Sequence, residues 1–228
     1  MAGDTAQPRL EGHTSRAFDG ALAAFHMRVL AMGGLVLDQV REAVRAYTEW
    51  DAAAALRVLE RERTVNTYDL NADEDLLALL ARRQPMASDL RAIIALSKAV
   101  AELERAGDEA KKIALYVSAQ GGRPGAATSR DARHLGRLAV SHMRLALEAL
   151  DNLDVALTAE AVDRDRELDE EYRAGLRRLL SRAMEDPRHF GVALEAAFVL
   201  KALERIGDHA RNLARHVGSI AGERSRVG

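Results

Sequence analysis

The chain has 228 residues, enough for one large domain or two small ones around a real core. Its formal net charge of -2 argues against nucleic acid as a partner, and the absence of cysteine excludes disulfides and thiolate metal sites. No signal peptide is read at the start and no apolar run approaches the roughly 20 residues of a membrane span, so no membrane span and a cytoplasmic location are expected.

Hydrophobic residues make up 48% of the chain and aromatic residues only 4%, with Ala, Leu, Arg and Glu dominant, a mix that favours helices. Residues 1–15 are polar, contain Gly3, Pro8 and Gly12, and read as a frayed arm. From Phe18, apolar residues recur at helical spacing through Leu22, Phe25, Val29, Met32, Val36, Val40 and Val44. A turn near Thr48–Asp51 follows, with Asp51 as N-cap of a second helix that stops before Pro85. A third helix runs from about Met86 to Ala119, up to the break Gln120-Gly121-Gly122-Arg123-Pro124-Gly125. The second half repeats the plan: about Ser129–Asn152, then from near Asp154 to before Pro187, then about Phe190–Ser219. Short connections imply antiparallel neighbours. The expected class is all-α, two tandem three-helix bundles over residues 16–122 and 123–221, with a tail over 222–228.

An internal repeat supports the duplication. Ala101–Val117 reads AELERAGDEAKKIALYV and Lys201–Val217 reads KALERIGDHARNLARHV, with eight of seventeen positions identical. The shared core is Glu-Arg-x-Gly-Asp, Glu104 to Asp108 and Glu204 to Asp208. Positions i and i+4 share one helix face, where two acids repel by a few tenths of a kcal/mol. Each mid-helix Gly (Gly107, Gly207) costs about 1 kcal/mol more. A bound cation would offset this double penalty; the alternative is a solvated face screened by Arg105 or Arg205.

The partner helices weigh toward the cation. The stripe through Val58, Val65, Ala72 and Leu76 includes Glu62 and Asp69, and that through Val162, Tyr172, Leu176 and Leu179 includes Asp165 and Asp169. Buried carboxylates need partners or they protonate. With the first turn centred on Pro85, Glu62 lies 23 residues before it and Asp108 23 after; Asn66 and Glu104 each lie 19 away. With the second centred between Asp186 and Pro187, Asp169 and Glu204 are each 17.5 residues away, and Asp165 and Asp208 each 21.5. Each half therefore presents four oxygen-bearing side chains at matching heights. Such a donor set suits hard cations (Mg, Mn, Ca or Fe), and more than one ion would satisfy four carboxylates better than one.

Gly33-Gly34 in the first helix either leaves room for ions or allows close helix packing. His142 falls on the apolar line of its helix and reads as a core histidine before a ligand; His209 is expected to face solvent and His189 to sit in a turn. There is no phosphate loop, no GxSxG elbow and no catalytic cysteine, and no histidine has Glu three positions before it as ferritin-like di-iron sites require. A carboxylate-bridged metalloenzyme on a helical bundle is the weaker alternative.

These residues resemble the PhoU family of phosphate-transport regulators. The resemblance rests on Met32-Gly33-Gly34, Val65-Asn66, Gln84-Pro85 with Ser88-Asp89-Leu90-Arg91, and Glu102 to Asp108. In the second half it rests on Val162 to Asp169, Met184-Glu185-Asp186 and Leu203 to Asp208. It implies two three-helix bundles with metal ligands Glu62, Glu104 and Asp108 in the first and Asp165, Asp169, Glu204 and Asp208 in the second, with Asn66 standing in place of an acid. Divalent or trivalent ions (Mg, Mn, Fe or Zn), singly or in multinuclear clusters, are implied as cofactors. Asp89 and Arg91 lack a counterpart after Pro187 and become candidate partner contacts. Also implied is a homodimeric adaptor without catalytic turnover, recruited to the inner membrane face. It would link the ATPase subunit of the phosphate ABC transporter to a sensor histidine kinase and restrain the phosphate-starvation response.

Overall fold

The structure, a computed structural model, describes residues 16–82, 87–119, 122–186, 188 and 190–227. Six helices follow in chain order: α1 Arg16–Glu49, α2 Ala52–Arg82, α3 Ala87–Ser118, α4 Ala126–Asn152, α5 Val155–Glu185 and α6 Phe190–Val227. The chain is all-α and built as two three-helix units. The arm over residues 1–15, the turn at Pro85, and Pro187 and His189 lie outside the described residues.

The α1–α2 and α4–α5 turns are built identically. Trp50 and Leu153 adopt left-handed backbone, with φ of 59° and 51°. The next residue, Asp51 or Asp154, donates its backbone N–H back to Ala46 O or Ala149 O, closing the first helix. The same aspartate then caps the second helix. Asp51 Oδ1 accepts from Ala54 N at 3.0 Å, and Asp154 Oδ1 accepts from Ala156 N at 2.6 Å and Leu157 N at 3.2 Å. Left-handed backbone costs a non-glycine residue about 1–2 kcal/mol, so cap and packing together must outweigh that strain. Tyr47 meets the Trp50 ring edge-on at 6.4 Å, part of that packing.

The two bundles share a core rather than hanging side by side. Besides its partners α1 and α2, α3 packs on α6; α6 packs on α4, α5 and α3; and α1 touches α4. This explains why α3 buries adjacent positions (Ala92-Ile93, Ala95-Leu96, Ala99-Val100, Ile113-Ala114), a wider stripe than one bundle demands. Glycines let α1 and α4 close. A Cβ on Gly33 would sit 2.3 Å from Leu147 Cδ2, and one on Gly136 2.5 Å from Val44 Cγ2. Gly33/Gly136 and Val44/Leu147 are equivalent positions of the two halves, so this contact is made twice about a pseudo-twofold axis. Close packing is therefore the role of Gly33, while Gly34 faces open space.

Two expectations change. The helix α6 runs on to Val227, past Ser219 and through the proposed tail. Within α1, Phe18–Glu49 is long and apolar enough to cross a membrane by composition, with a mean hydropathy of 1.6 over its best window. Its apolar stripe (Leu22, Phe25, Val29, Met32, Val36, Val40) is instead consumed by the bundle core.

Candidate metal-binding site

In the first bundle Glu62 is buried, 3% exposed, on the face of α2 turned to α3. Gln39 from α1 donates from Nε2 to Glu62 Oε2 at 2.8 Å and to Gly107 O at 3.2 Å. The Cβ that Gly107 lacks would lie 3.3 Å from Glu62 Oε2 and 3.5 Å from Gln39 Oε1. A side chain there would crowd this link, which is why the helix tolerates a costly residue. Lys111, one turn beyond Asp108, bridges the acids: Nζ lies 3.1 Å from Asp108 Oδ1 and 3.5 Å from Glu62 Oε1. Glu62 Oε1 and Gln39 Oε1 are buried without a hydrogen bond. Burial, then the charges of Asp108, Asp69 and Glu62, push the Glu104 carboxyl above its usual range, with Arg105 opposing. Burial and Asp73 do the same to Asp69.

The second bundle repeats the design. Asp165, 8% exposed on α5, pairs with Arg211, whose Nη2 also holds Asp208 Oδ1 at 2.7 Å. Arg211 and Lys111 occupy the same place in the repeat, each three residues after the aspartate. Burial works against the Arg211 charge, but Asp165 and Asp208 together outweigh it and hold the guanidinium more firmly protonated. Asp165 Oδ1 is buried without a hydrogen bond. Where α1 supplies Gln39, α4 supplies His142; each stands eleven residues before its left-handed turn residue. His142 Nε2 contacts Ala161 O, and burial pulls its pKa down despite that bond and the nearby Asp165.

The register expected from the sequence is met by two pairs, Glu62 with Asp108 and Asp165 with Asp208, each bridged by a cation. The other two are not joined. Asn66 is exposed, and Glu104 feels Asp69 instead. Asp169 turns to Arg173 at 3.6 Å, and Glu204 is held by Lys201 Nζ at 2.6 and 2.7 Å. Among the described residues no three His, Asp or Glu side chains converge closely enough to hold one metal ion. Sequence reasoning missed Gln39, Lys111 and Arg211. The matching positive charge at 111 and 211 in the aligned repeat was the available signal.

At the α3 start, Asp89 is buried and Arg91 exposed. His142 is a core histidine. His209 is not solvent-facing: its Nδ1–H donates to Glu102 Oε2 at 2.8 Å across the α3·α6 contact. Glu102, 6% exposed, also receives Asn212 Nδ2 and Arg105 at 3.4 Å, with His216 Nε2 at 3.8 Å.

The family model described as the PhoU domain matches twice, over residues 29–117 and 132–217. The chain belongs to the PhoU family. A phosphate-specific transport system accessory protein PhoU homolog of Pseudomonas putida is 42% identical over 211 residues, 91% of this chain and 82% of the relative. The accessory protein PhoU of Escherichia coli (strain K12) is 34% identical over 211 residues, 91% of this chain and 86% of its own. The crystal structure of PhoU from Pseudomonas aeruginosa superposes with a TM-score of 0.86 at 40% identity, covering 90% of this chain and 99% of that one. A phosphate transport system regulatory protein PhoU from Streptococcus pneumoniae shares the fold, with a TM-score of 0.80 at 23% identity over 89% and 96% of the two chains. These PhoU relatives are named as accessory or regulatory proteins, not as enzymes.

Proposed function

We propose that the chain is a metal-binding regulatory adaptor that lowers phosphate uptake and phosphate-starvation signalling when phosphate is plentiful. It links the ATPase subunit of the phosphate ABC transporter to a sensor histidine kinase and works in the cytoplasm, at the inner membrane face, as a homodimer without turnover. The observation that carries this reading is the likeness, over nine-tenths of the chain, to accessory proteins of phosphate-specific transport systems.

The acidic clusters fit hard cations. The side chains offer oxygen donors, Glu62 Oε1 and Asp165 Oδ1 are buried without hydrogen bonds, and acid neighbours already push the Glu104 carboxyl up; since no three of these acids converge among the described residues, an ion would have to draw them together. Glu62, Glu104 and Asp108 would hold ions in the first bundle, with Asn66 at its edge, and Asp165, Asp169, Glu204 and Asp208 in the second. Bound Mg, Mn, Fe or Zn would neutralise the carboxylates and tie α2 to α3 and α5 to α6. Lys111 and Arg211 act as internal counter-ions that compete for the same oxygens, so metal occupancy requires them to swing aside. Asp89 and Arg91, at the start of α3, are assigned to partner contact.

The test is co-purification from phosphate-replete cells with elemental analysis of the same sample. Recovery of the ATPase subunit and the kinase with stoichiometric metal is expected. Metal content unchanged by Glu104→Ala with Asp108→Ala would discard the first site, and absence of both partners would discard the adaptor.

A further inference from the structure

The pseudo-twofold axis supplies an internal control for surface specialisation. On one side, the C-terminal half of α3 and the N-terminal half of α6 enclose a groove of about 450 Å³. Tyr116 and Phe198 stack across its floor, ring centroids 6.4 Å apart at 14°. Leu115 and Phe198 remain 47% and 54% exposed. Phe190 and Leu194, also exposed, continue the α6 stripe one turn at a time. The rim carries Lys112, Lys201 and Arg205, each about half exposed. The carboxylate lining the groove, Glu109, is buried and already accepts from Lys112 at 2.8 Å and Arg205 at 3.2 Å.

Across the axis Leu90 and Ile94, the counterparts of Phe190 and Leu194, are likewise exposed, but the surface is polar where the groove itself lies. Arg215 stands for Leu115, His216 for Tyr116, Lys98 for Phe198 and Glu102 for Ala202. There Glu102 is buried beneath His209, Asn212 and Arg105. A fold that needed either surface only for its own stability could use the same residues twice. The stacked aromatics line this side, and His216 and Lys98 stand at their counterparts.

We propose that this groove receives an acidic amphipathic helix of a partner protein, its apolar anchors lying between Leu115 and Phe198 and its carboxylates meeting Lys112, Lys201 and Arg205. A trough between two antiparallel helices is the shape into which a third helix packs. A second copy fits poorly, because a self-complementary contact would bring the same three cations face to face. This inference rests on the adaptor reading and assigns it a surface.

The test titrates the full-length chain with the purified cytoplasmic region of the sensor kinase and, separately, with the transporter ATPase subunit. Leu115→Glu and Phe198→Glu should weaken binding of one of them at least tenfold, while Met27→Glu, equally exposed on α1, leaves it unchanged. Circular dichroism confirms that each variant is folded. Groove variants that bind like wild type overturn the groove and leave the adaptor standing; wild type that binds neither protein overturns both. Loss of self-association in Phe198→Glu, or loss of binding to anionic vesicles without loss of binding to either protein, also overturns the assignment.

Discussion

Replacing Arg211 by Met tests what the acidic clusters are for. The substitution keeps the aliphatic stem and removes the charge that pairs with Asp165 and Asp208. Asp165 is 8% exposed and the Arg211 side chain 22%, so their pair is largely desolvated. Breaking a fully buried pair from one side costs about 3–5 kcal/mol. The Asp208 arm is one-third exposed and adds about 0–1 kcal/mol at most. Discounting for the partial exposure of Arg211, the loss should be about 2–4 kcal/mol with chelator present. For a chain of this size each kcal/mol is about 2–4 °C, so Tm should fall by roughly 4–16 °C in a calorimetric scan. Adding Mn²⁺ or Mg²⁺ should then return most of the loss, since a ligand at a hundredfold its Kd contributes about 2.7 kcal/mol. Wild type, with its own cation in place, should respond less. A variant as stable as wild type in chelator would show that Asp165 does not depend on its pair. A destabilised variant that no divalent ion restores would refute the metal reading of the second cluster.

The buried His142 has its pKa lowered from 6.5, chiefly by burial, so the folded state holds its proton less tightly than the unfolded chain. Its contribution is present above that value and lost as pH falls through it. His142→Gln, which copies Gln39 of the first half, should therefore lose less stability than wild type between pH 8 and pH 5 in urea titrations; equal losses would contradict this. Glu104 has the opposite sign: with its pKa raised from 4.5, its contribution is fully present below that value and lost as pH rises through the raised one, which leaves the ionised form a cost at neutral pH. Glu104→Gln in chelator should raise the urea midpoint at pH 7, with the gain vanishing near pH 4. Gly33→Ala should destabilise by about 1–3 kcal/mol through overpacking against Leu147. Adding Leu147→Ala should relieve that clash, giving a favourable coupling of about 1 kcal/mol in a double-mutant cycle.

The helices were legible because their boundaries carry local chemistry. Asp51 caps as its position suggested, α5 begins near Asp154 as expected, and Pro124 and the glycines around it mark the break. The left-handed Trp50 and Leu153 were not legible, because neither residue type signals positive φ; only the packing around them imposes it. Counting from turn centres brought Glu62 level with Asp108 and Asp165 level with Asp208, because both helices of each pair rise by the same step. It failed for Asn66 and Asp169: four residues on, a helix has turned about 40° past the first position, and there Asn66 is exposed and Asp169 pairs with Arg173. Register arithmetic gives height along a helix and says nothing about azimuth. Nor could it show Gln39, which enters from α1, whereas His142 on α4 was legible from the apolar line of its helix as a core histidine. The joint packing of the bundles was written in α3, whose apolar stripe is too wide for one neighbourhood, although a broad stripe does not name the helix that covers it.

The duplication separates what both halves need from what one half does. An acid on the second helix, the Glu-Arg-x-Gly-Asp turn and a cation three residues later occur in both halves, on helices that otherwise share only four of thirteen residues in the aligned segment. Helix stability alone disfavours that arrangement, because it places two acids and a glycine mid-helix. Its appearance in both bundles, beside buried carboxylate oxygens left without hydrogen bonds, therefore points to a task performed twice. The α3·α6 surfaces behave oppositely. There the same backbone carries stacked aromatics on one side and a glutamate ringed by histidine, asparagine and arginine on the other. The groove proposal accounts for this difference by what the open surface meets outside the chain.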